Sequence, residues 1–481
     1  MAGIGFELKK LYKDKGLLQT LKAHTYSIFV TIGPLIISVL AITFLYRILK
    51  YFGVPRVRLE LLQGTIMYSF IFSVVLTSGY CMMLSRYLAD RLYEKKTEEI
   101  LSAFYGSISF ILMILGIIGV SFYFNKPLEP VYKFFAYFLF VGLATQMVIS
   151  VFISAIKDFK RVAFAFFYGV IGAFISGYCL FQFTDFQDIL SVLIAFDICI
   201  LIVIIFLAYE IKKYFAEKSP KFFNFMKYFE LAYKPLLVNT FYTSSLYVHN
   251  FMFWIFSDLY RVIEGTYTYA PYYDIPAGYA FLSIMPTLVM FVVKVETSFY
   301  SKYANYFQLI NNNACYEDIE VSKKEMFTSI TRELTYMMEV QLFCSIAAII
   351  LGMKFLPLAG FTSSQIDIYS IVVLAYYCII MCHVIMTLLL YFDYQKGALI
   401  ITFTALVTNG VFTYISIQLG EAFYGVGFLA SGILTLVLSL IILYKFLRNV
   451  DYYVFCVHVA WQSGTSGVLE RLVDNMYEQE V

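Results

Sequence analysis

Residues 210–234 read EIKKYFAEKSPKFFNFMKYFELAYK. This lysine-rich stretch divides twelve long apolar runs six and six, near 27–49, 61–84, 100–124, 131–154, 162–183, 189–209, 235–257, 278–299, 336–356, 367–391, 397–417 and 425–447. Crossing a bilayer as a helix takes about 20 apolar residues at ~1.5 Å rise each, and each run has that length to within a few residues. In lipid every backbone polar group must be satisfied inside the segment, so helices are the expected form. The expectation is an all-α integral membrane protein with about 12 transmembrane helices in two six-helix lobes. The first lobe is 24–209 and the second 235–448, with a short amphipathic cytoplasmic segment at 1–23 and a cytoplasmic tail at 449–481. The segment 210–234 itself reads as an amphipathic helix lying on the inner membrane surface. Phe215, Phe222, Phe223, Phe225, Tyr228 and Phe229 would face the acyl boundary and the lysines the anionic headgroups.

Composition agrees. Of the 481 residues, 61% are hydrophobic and 14% charged, against roughly 45–50% and about 25% in a soluble domain. The mean hydropathy is +0.76. Little chain remains for a separate soluble module. The eight cysteines include no CxxC pair, and seven lie in or beside apolar runs, so they read as free thiols. Cys378, Cys382 and His383 are close in sequence, but the small-residue reading of that stretch outweighs a metal site. The first run is too long for a secretory signal and lacks a small-residue cleavage site.

Orientation follows from Lys and Arg placement. With the N-terminus inside, 26 of the 35 basic residues fall in inner segments and 8 in outer ones. The segment 210–234 contributes more inner charge than any other. Both termini are therefore expected in the cytoplasm. The first outer loop, with Arg47, Lys50, Arg56 and Arg58, runs against the rule.

Signatures of catalysis are missing. There is no Walker A pattern, no HExxH and no GxSxG, so nucleotide hydrolysis, zinc proteolysis and esterase chemistry are not expected. No cofactor, metal or nucleic-acid partner is expected either. Ionisable residues inside the runs are the better lead, because each costs about 2.5–3.5 kcal/mol at a helix centre unless it finds a partner or water. Asp197 sits mid-run with no route to the interface. Lys294 and Glu296 lie toward the inner end of the eighth run, where Lys294 can snorkel. His249 and His383 are mid-run, where a hydrogen-bonded core histidine is a commoner case than a path residue. Gly33-Pro34 and Pro286 are candidate kinks of the kind that frame transport paths, although proline is common in membrane helices. After the seventh run, DLYRVIEGTYTYAPYYDIPAGY places Tyr267, Tyr269, Tyr272 and Tyr273 among acidic residues. Tyrosine offers sugars a flat face and a hydroxyl; the alternative is an aromatic belt at the headgroups.

The opening MAGIGFELKKL, the basic amphipathic stretch after it, and a first run holding Gly33-Pro34 close behind Tyr26 resemble the PelG family of exopolysaccharide exporters. That family lies in the polysaccharide-transport branch of the multidrug/oligosaccharidyl-lipid/polysaccharide exporter superfamily. The resemblance implies a V-shaped fold around a central cavity. It also implies export of an amino-sugar-containing exopolysaccharide across the bacterial inner membrane for a biofilm matrix. Implied partners are a cytoplasmic glycosyltransferase and a membrane scaffold that binds cyclic di-GMP. The run from Ser27 to Tyr46 has no acidic residue, unlike drug antiporters of the superfamily. The run interiors are poor in arginine, unlike flippases that hold a lipid pyrophosphate with bidentate guanidinium groups. The rival readings are a flippase for a lipid-linked oligosaccharide, a membrane polymerase or ligase, and a scaffold of a synthase complex.

Overall fold

The computed structural model describes residue 49 and residues 53–156, 159–183, 189–294, 299–453 and 467–478. The first apolar run, with Gly33 and Pro34, lies almost wholly outside the described residues. Ten of the described helices are long and apolar enough to cross a membrane, matching runs two to six and eight to twelve. The seventh run is also a helix, Tyr233–Phe256, of lower mean hydropathy.

The described residues fall into two compact units. The N-terminal unit takes those within 33–244, 260–269 and 464–481. Its helices are α1 (Arg56–Tyr93), α2 (Glu98–Tyr123), α3 (Pro130–Ile156), α4 (Phe159–Phe183), α5 (Ile189–Tyr214), α6 (Tyr228–Leu231) and the first half of α7 (Tyr233–Phe256). It also takes the short antiparallel strands β1 (Arg261–Ile263) and β2 (Tyr267–Tyr269), paired Ile263 to Tyr267. Helix α3 packs against α1, α2 and α5, and α4 against α5. The core between them holds Met83, Leu84, Phe104, Val148, Phe152 and Leu207. Small residues let the backbones approach, as membrane helices need in the absence of a hydrophobic drive between them. A Cβ on Gly169 would come within 3.0 Å of the Cys199 carbonyl.

Outward faces are apolar as well. Met113, Ile117 and Val120 of α2 are exposed at helical spacing. An aqueous surface rarely carries such stripes; a lipid-facing one must.

The polar segment departs from the expected interfacial helix. Helix α5 runs on to Tyr214, and the chain then turns through a 3-10 turn at Asn224–Lys227 into α6. Phe215, Phe225 and Tyr228 are buried in the protein, not presented to lipid. Burying such rings is worth about 1.5–3 kcal/mol each, and polar locks fix the segment. Ser219 N donates to Ser102 Oγ at 2.9 Å, and Ser102 Oγ donates back to the Ser219 carbonyl. The buried carboxylate of Glu99 accepts from Asn224 Nδ2 at 2.9 Å and from Arg91 Nη1 at 3.2 Å. Tyr228 donates to Asp90 at 2.8 Å. Helix periodicity of aromatics was the signal for an amphipathic helix; Pro220 and these side-chain acceptors won over it.

The C-terminal unit takes the described residues within 245–259 and 270–463. It holds the second half of α7, then α8 (Pro271–Phe281), α9 (Met285–Lys294), α10 (Tyr300–Asn311), α11 (Tyr316–Phe355), α12 (Ser363–Tyr391), α13 (Gln395–Leu419) and α14 (Val426–Arg448). Helix α12 is its centre, packed against α8, α11, α13 and α14. A capping box starts it: Gln365 N donates to Thr362 Oγ1 at 3.4 Å, and Thr362 N to Gln365 Oε1 at 3.1 Å. The eighth run is two helices joined by a 3-10 turn at Leu282–Ile284, just before Pro286. There Gln341 of α11 donates to the Ser283 carbonyl at 2.8 Å, satisfying an acceptor where the ladder changes pitch.

Helix α15 (Val468–Glu478) belongs to the N-terminal unit and packs on the 3-10 turn and α6. Glu230 caps its start, accepting from Leu469 N at 3.0 Å and Glu470 N at 3.4 Å. Only a glycine fits at 467, since a Cβ there would stand 1.9 Å from Glu230 Oε2.

Candidate functional site

In the N-terminal unit, hydroxyl groups gather where α1, α2, α3 and the hairpin meet. Thr65 sits a turn after Leu61, returns a bond to its carbonyl at 2.9 Å, and meets Tyr132 of α3 at 2.7 Å. Tyr123, at the end of α2, meets Tyr267 of β2 at 2.9 Å. Tyr68 closes the hairpin onto α1: its hydroxyl accepts from Thr268 N at 2.9 Å and donates to the Thr268 carbonyl. The approach is possible because position 64 is glycine. A Cβ there would lie 3.2 Å from both Ile263 and Tyr267. The hairpin turns at Glu264-Gly265, both in the left-handed region (φ 44° and 58°), with Thr266 N bonded to the Ile263 carbonyl at 2.9 Å. That is the turn geometry that matches the twist of paired strands. Tyr68, Phe72, Phe122, Tyr123 and Phe140 line an apolar cavity of about 150 Å³.

Asp197 of α5 belongs to the same unit. It is 3% exposed, and neither carboxylate oxygen has a hydrogen-bond partner among the described residues. Tyr123 is the hydroxyl group in its electrostatic range. Buried polar atoms are nearly always paired, so an acid with both oxygens unmatched is exceptional.

In the C-terminal unit a second polar group forms around α7. His249 and Phe253 share one face of that helix, and Asn250 and Trp254 the next, each pair four residues apart. Asp274 of α8 is buried and accepts three bonds, from Asn250 Nδ2, Trp254 Nε1 and Ala270 N, each at 2.7 Å. His249 is fully buried between two tyrosines, with Nδ1 3.0 Å from the Tyr273 hydroxyl and Nε2 3.4 Å from that of Tyr376. One ring nitrogen donates and the other accepts. The imidazole stacks on Phe428 at 4.2 Å, and Tyr273 on Phe253 at 3.7 Å. Four helices are thereby tied at one point. Tyr272, in contrast, reaches Glu421 near the surface.

The candidates read from the sequence separate accordingly. Asp197, Tyr267 and Tyr269 lie in the N-terminal unit. His249, Tyr272, Tyr273, Pro286 and His383 lie in the C-terminal unit, with His249 and Tyr273 in contact. Lys294 ends α9, its side chain outside the described residues, as is Glu296. Tyr267, Tyr269 and Tyr273 are buried in this packing. Asp274 is occupied by its three donors. His383 is half-buried on α12; among the described residues no cluster of metal-ligating side chains surrounds it, and Cys382 lies 3.9 Å from Ser439 Oγ instead. The residues that sequence reading missed are Asn250, Trp254, Gln341, Tyr68, Tyr123 and Tyr132. Alternation in RVI-EGT-YTY was a legible hairpin signal; the partners across helices had none.

Residues 1–455 match the family model of PelG, described as an exopolysaccharide exporter (EPS-E). The chain belongs to the PelG exporter family. No curated protein matches it in sequence. Among solved structures it is similar to a multidrug-resistance MATE family transporter of the MOP superfamily in an outward-facing conformation, with TM-score 0.57, 14% identity, and 88% of this chain and 96% of that one covered. A MATE transporter in complex with MaD3S gives TM-score 0.58 at 14% identity over the same shares. A MOP superfamily transporter from Pyrococcus furiosus, described as having a binding pocket of reverse polarity, gives 0.57 at 14%, again over 88% and 96%. At this identity the likeness establishes the fold. The PelG match and the transporter fold together make the chain a multi-pass membrane transporter of an exopolysaccharide exporter family.

Proposed function

We propose that this protein moves an amino-sugar-containing exopolysaccharide from the cytoplasm outward across the bacterial inner membrane, without hydrolysing nucleotide. The observation that carries the reading is the PelG match over nearly the whole chain. The bias of basic residues toward segments on one side supports termini in the cytoplasm. Arginine-poor span interiors support a substrate without a lipid pyrophosphate. A cytoplasmic glycosyltransferase and a cyclic di-GMP-binding scaffold are the proposed partners, and the polymer supplied by the former the substrate. Asp197, Lys294, Glu296, His249, His383 and the loop tyrosines are the proposed path and support groups. The test is deletion of the gene with a hexosamine assay on secreted polymer, complemented by the wild-type gene. Loss of secreted polymer with retained intracellular synthesis is expected. Undiminished secretion refutes the proposal, and accumulation of a lipid-linked oligosaccharide would replace it with the flippase reading.

A further inference from the structure

Asp197 has no structural task in the packing described above. Its carboxyl is 3% exposed, bonds to nothing among the described residues, and lies at the ninth position of a helix of 26. Among the described residues, the elements packed on α5 bring no compensating charge. Helix α1 carries none from Leu62 to Leu84, α3 none after Lys133, and α4 none after Arg161, which pairs with Glu210 at the far end of α5. The titratable neighbours are phenols: Tyr123 of α2 within electrostatic range, with Tyr132 of α3 and Tyr267 of β2 beyond it. On α5 itself Cys199 follows two residues on.

We propose that Asp197 is a proton-exchange site of the N-terminal unit, loaded in the packing seen here and emptied when that packing admits water. An isolated carboxylate in a dry interior costs several kcal/mol, whereas the neutral acid costs far less. The state compatible with these contacts is therefore the acid. Opening the helix packing to water removes the penalty: the O–H bond breaks, the proton leaves on water, and a carboxylate remains. A metal cation does not fit the position. Hard cations require about six oxygen ligands, and among the described residues Asp197 belongs to no cluster of acidic or other metal-ligating side chains. A proton requires one acceptor. This inference rests on the exporter reading for its use, since proton exchange tied to a change of packing is what couples export to a gradient.

The experiment uses the full chain in proteoliposomes. Infrared difference titration of the protein alone reads the carboxylic-acid carbonyl band. A band that titrates in wild type and is missing in Asp197→Asn is expected; its absence in folded wild type overturns the proposal. In the second arm, vesicles loaded with a pH-sensitive dye receive a partly deacetylated amino-sugar oligosaccharide. Wild type should move protons when the oligosaccharide moves, Asp197→Asn should fall to the level of empty vesicles, and Asp197→Glu should retain movement with a displaced pH midpoint. Equal, gradient-independent oligosaccharide movement in wild type and Asp197→Asn overturns coupling. No oligosaccharide movement in wild type overturns the exporter reading instead, and the infrared arm still decides whether Asp197 exchanges a proton.

Discussion

Replacing Asp274 tests how the C-terminal unit is held together. Its carboxylate is buried and accepts from Asn250, Trp254 and Ala270, each at 2.7 Å. Asp274→Ala leaves three buried donors unmatched. At about 1–3 kcal/mol for each stranded donor, the expected loss is roughly 3–6 kcal/mol, allowing for partial relaxation. Asp274→Asn keeps one acceptor oxygen for the indole and backbone N–H groups, and Asn250 can turn its amide to accept from the new NH₂. That variant should lose only about 1 kcal/mol, the worth of an ordinary neutral hydrogen bond. The assay is thermal unfolding of purified protein in one detergent at a fixed scan rate, read through Trp254 and the second tryptophan, Trp461. The order wild type, Asn variant, Ala variant is expected, with the larger gap before Ala. If Ala and Asn unfold together, or Ala unfolds with wild type, the three-donor account is refuted.

Further outcomes follow from other contacts. Gly106→Ala would place a Cβ 2.1 Å from the Phe222 carbonyl, so it should free the connector; faster amide exchange across 219–229 is expected, with α4 unchanged. Glu99→Gln leaves Arg91 with Glu94 as its one carboxylate partner and should destabilise by about 2 kcal/mol, the order of a hydrogen bond to a charged group, whereas the more exposed Lys302–Glu325 pair should cost under about 1 kcal/mol. Gly64→Val should displace the hairpin from α1, exposing the Arg261–Tyr269 segment to protease. Burial pushes the Tyr228 phenol up to about 12. Its folded pKa thus lies above the unfolded value of about 10, so its contribution is complete below pH ~10 and is lost as pH rises through the folded value. Tyr228→Phe should flatten that alkaline part of the unfolding profile.

The spans were legible because hydrophobicity over 20 or more residues is a one-dimensional signal; α12 and α14 needed no knowledge of neighbours. The connector was legible as a break but not as a shape. Six aromatics with lysines look the same to a sequence reader whether the rings meet lipid or Phe110 and Tyr80. The difference lies in Ser102 and Glu99, more than 100 residues earlier. Asp197 could be singled out by its cost alone, since an acid in the middle of an apolar run is conspicuous anywhere. The role of Asp274 was not legible for the opposite reason: two of the three donors that occupy it, Asn250 and Trp254, come from a different helix.

The cap that Glu230 places on α15 has a consequence for biosynthesis. Donor and acceptor are 239 residues apart. At about 5–20 residues per second of synthesis, the connector waits on the order of 10–50 seconds for the helix that covers it. During that interval the 3-10 turn and α6 present an uncovered face, in reach of insertion factors and proteases. Docking of α15 on the connector therefore comes only after all the intervening spans have been made.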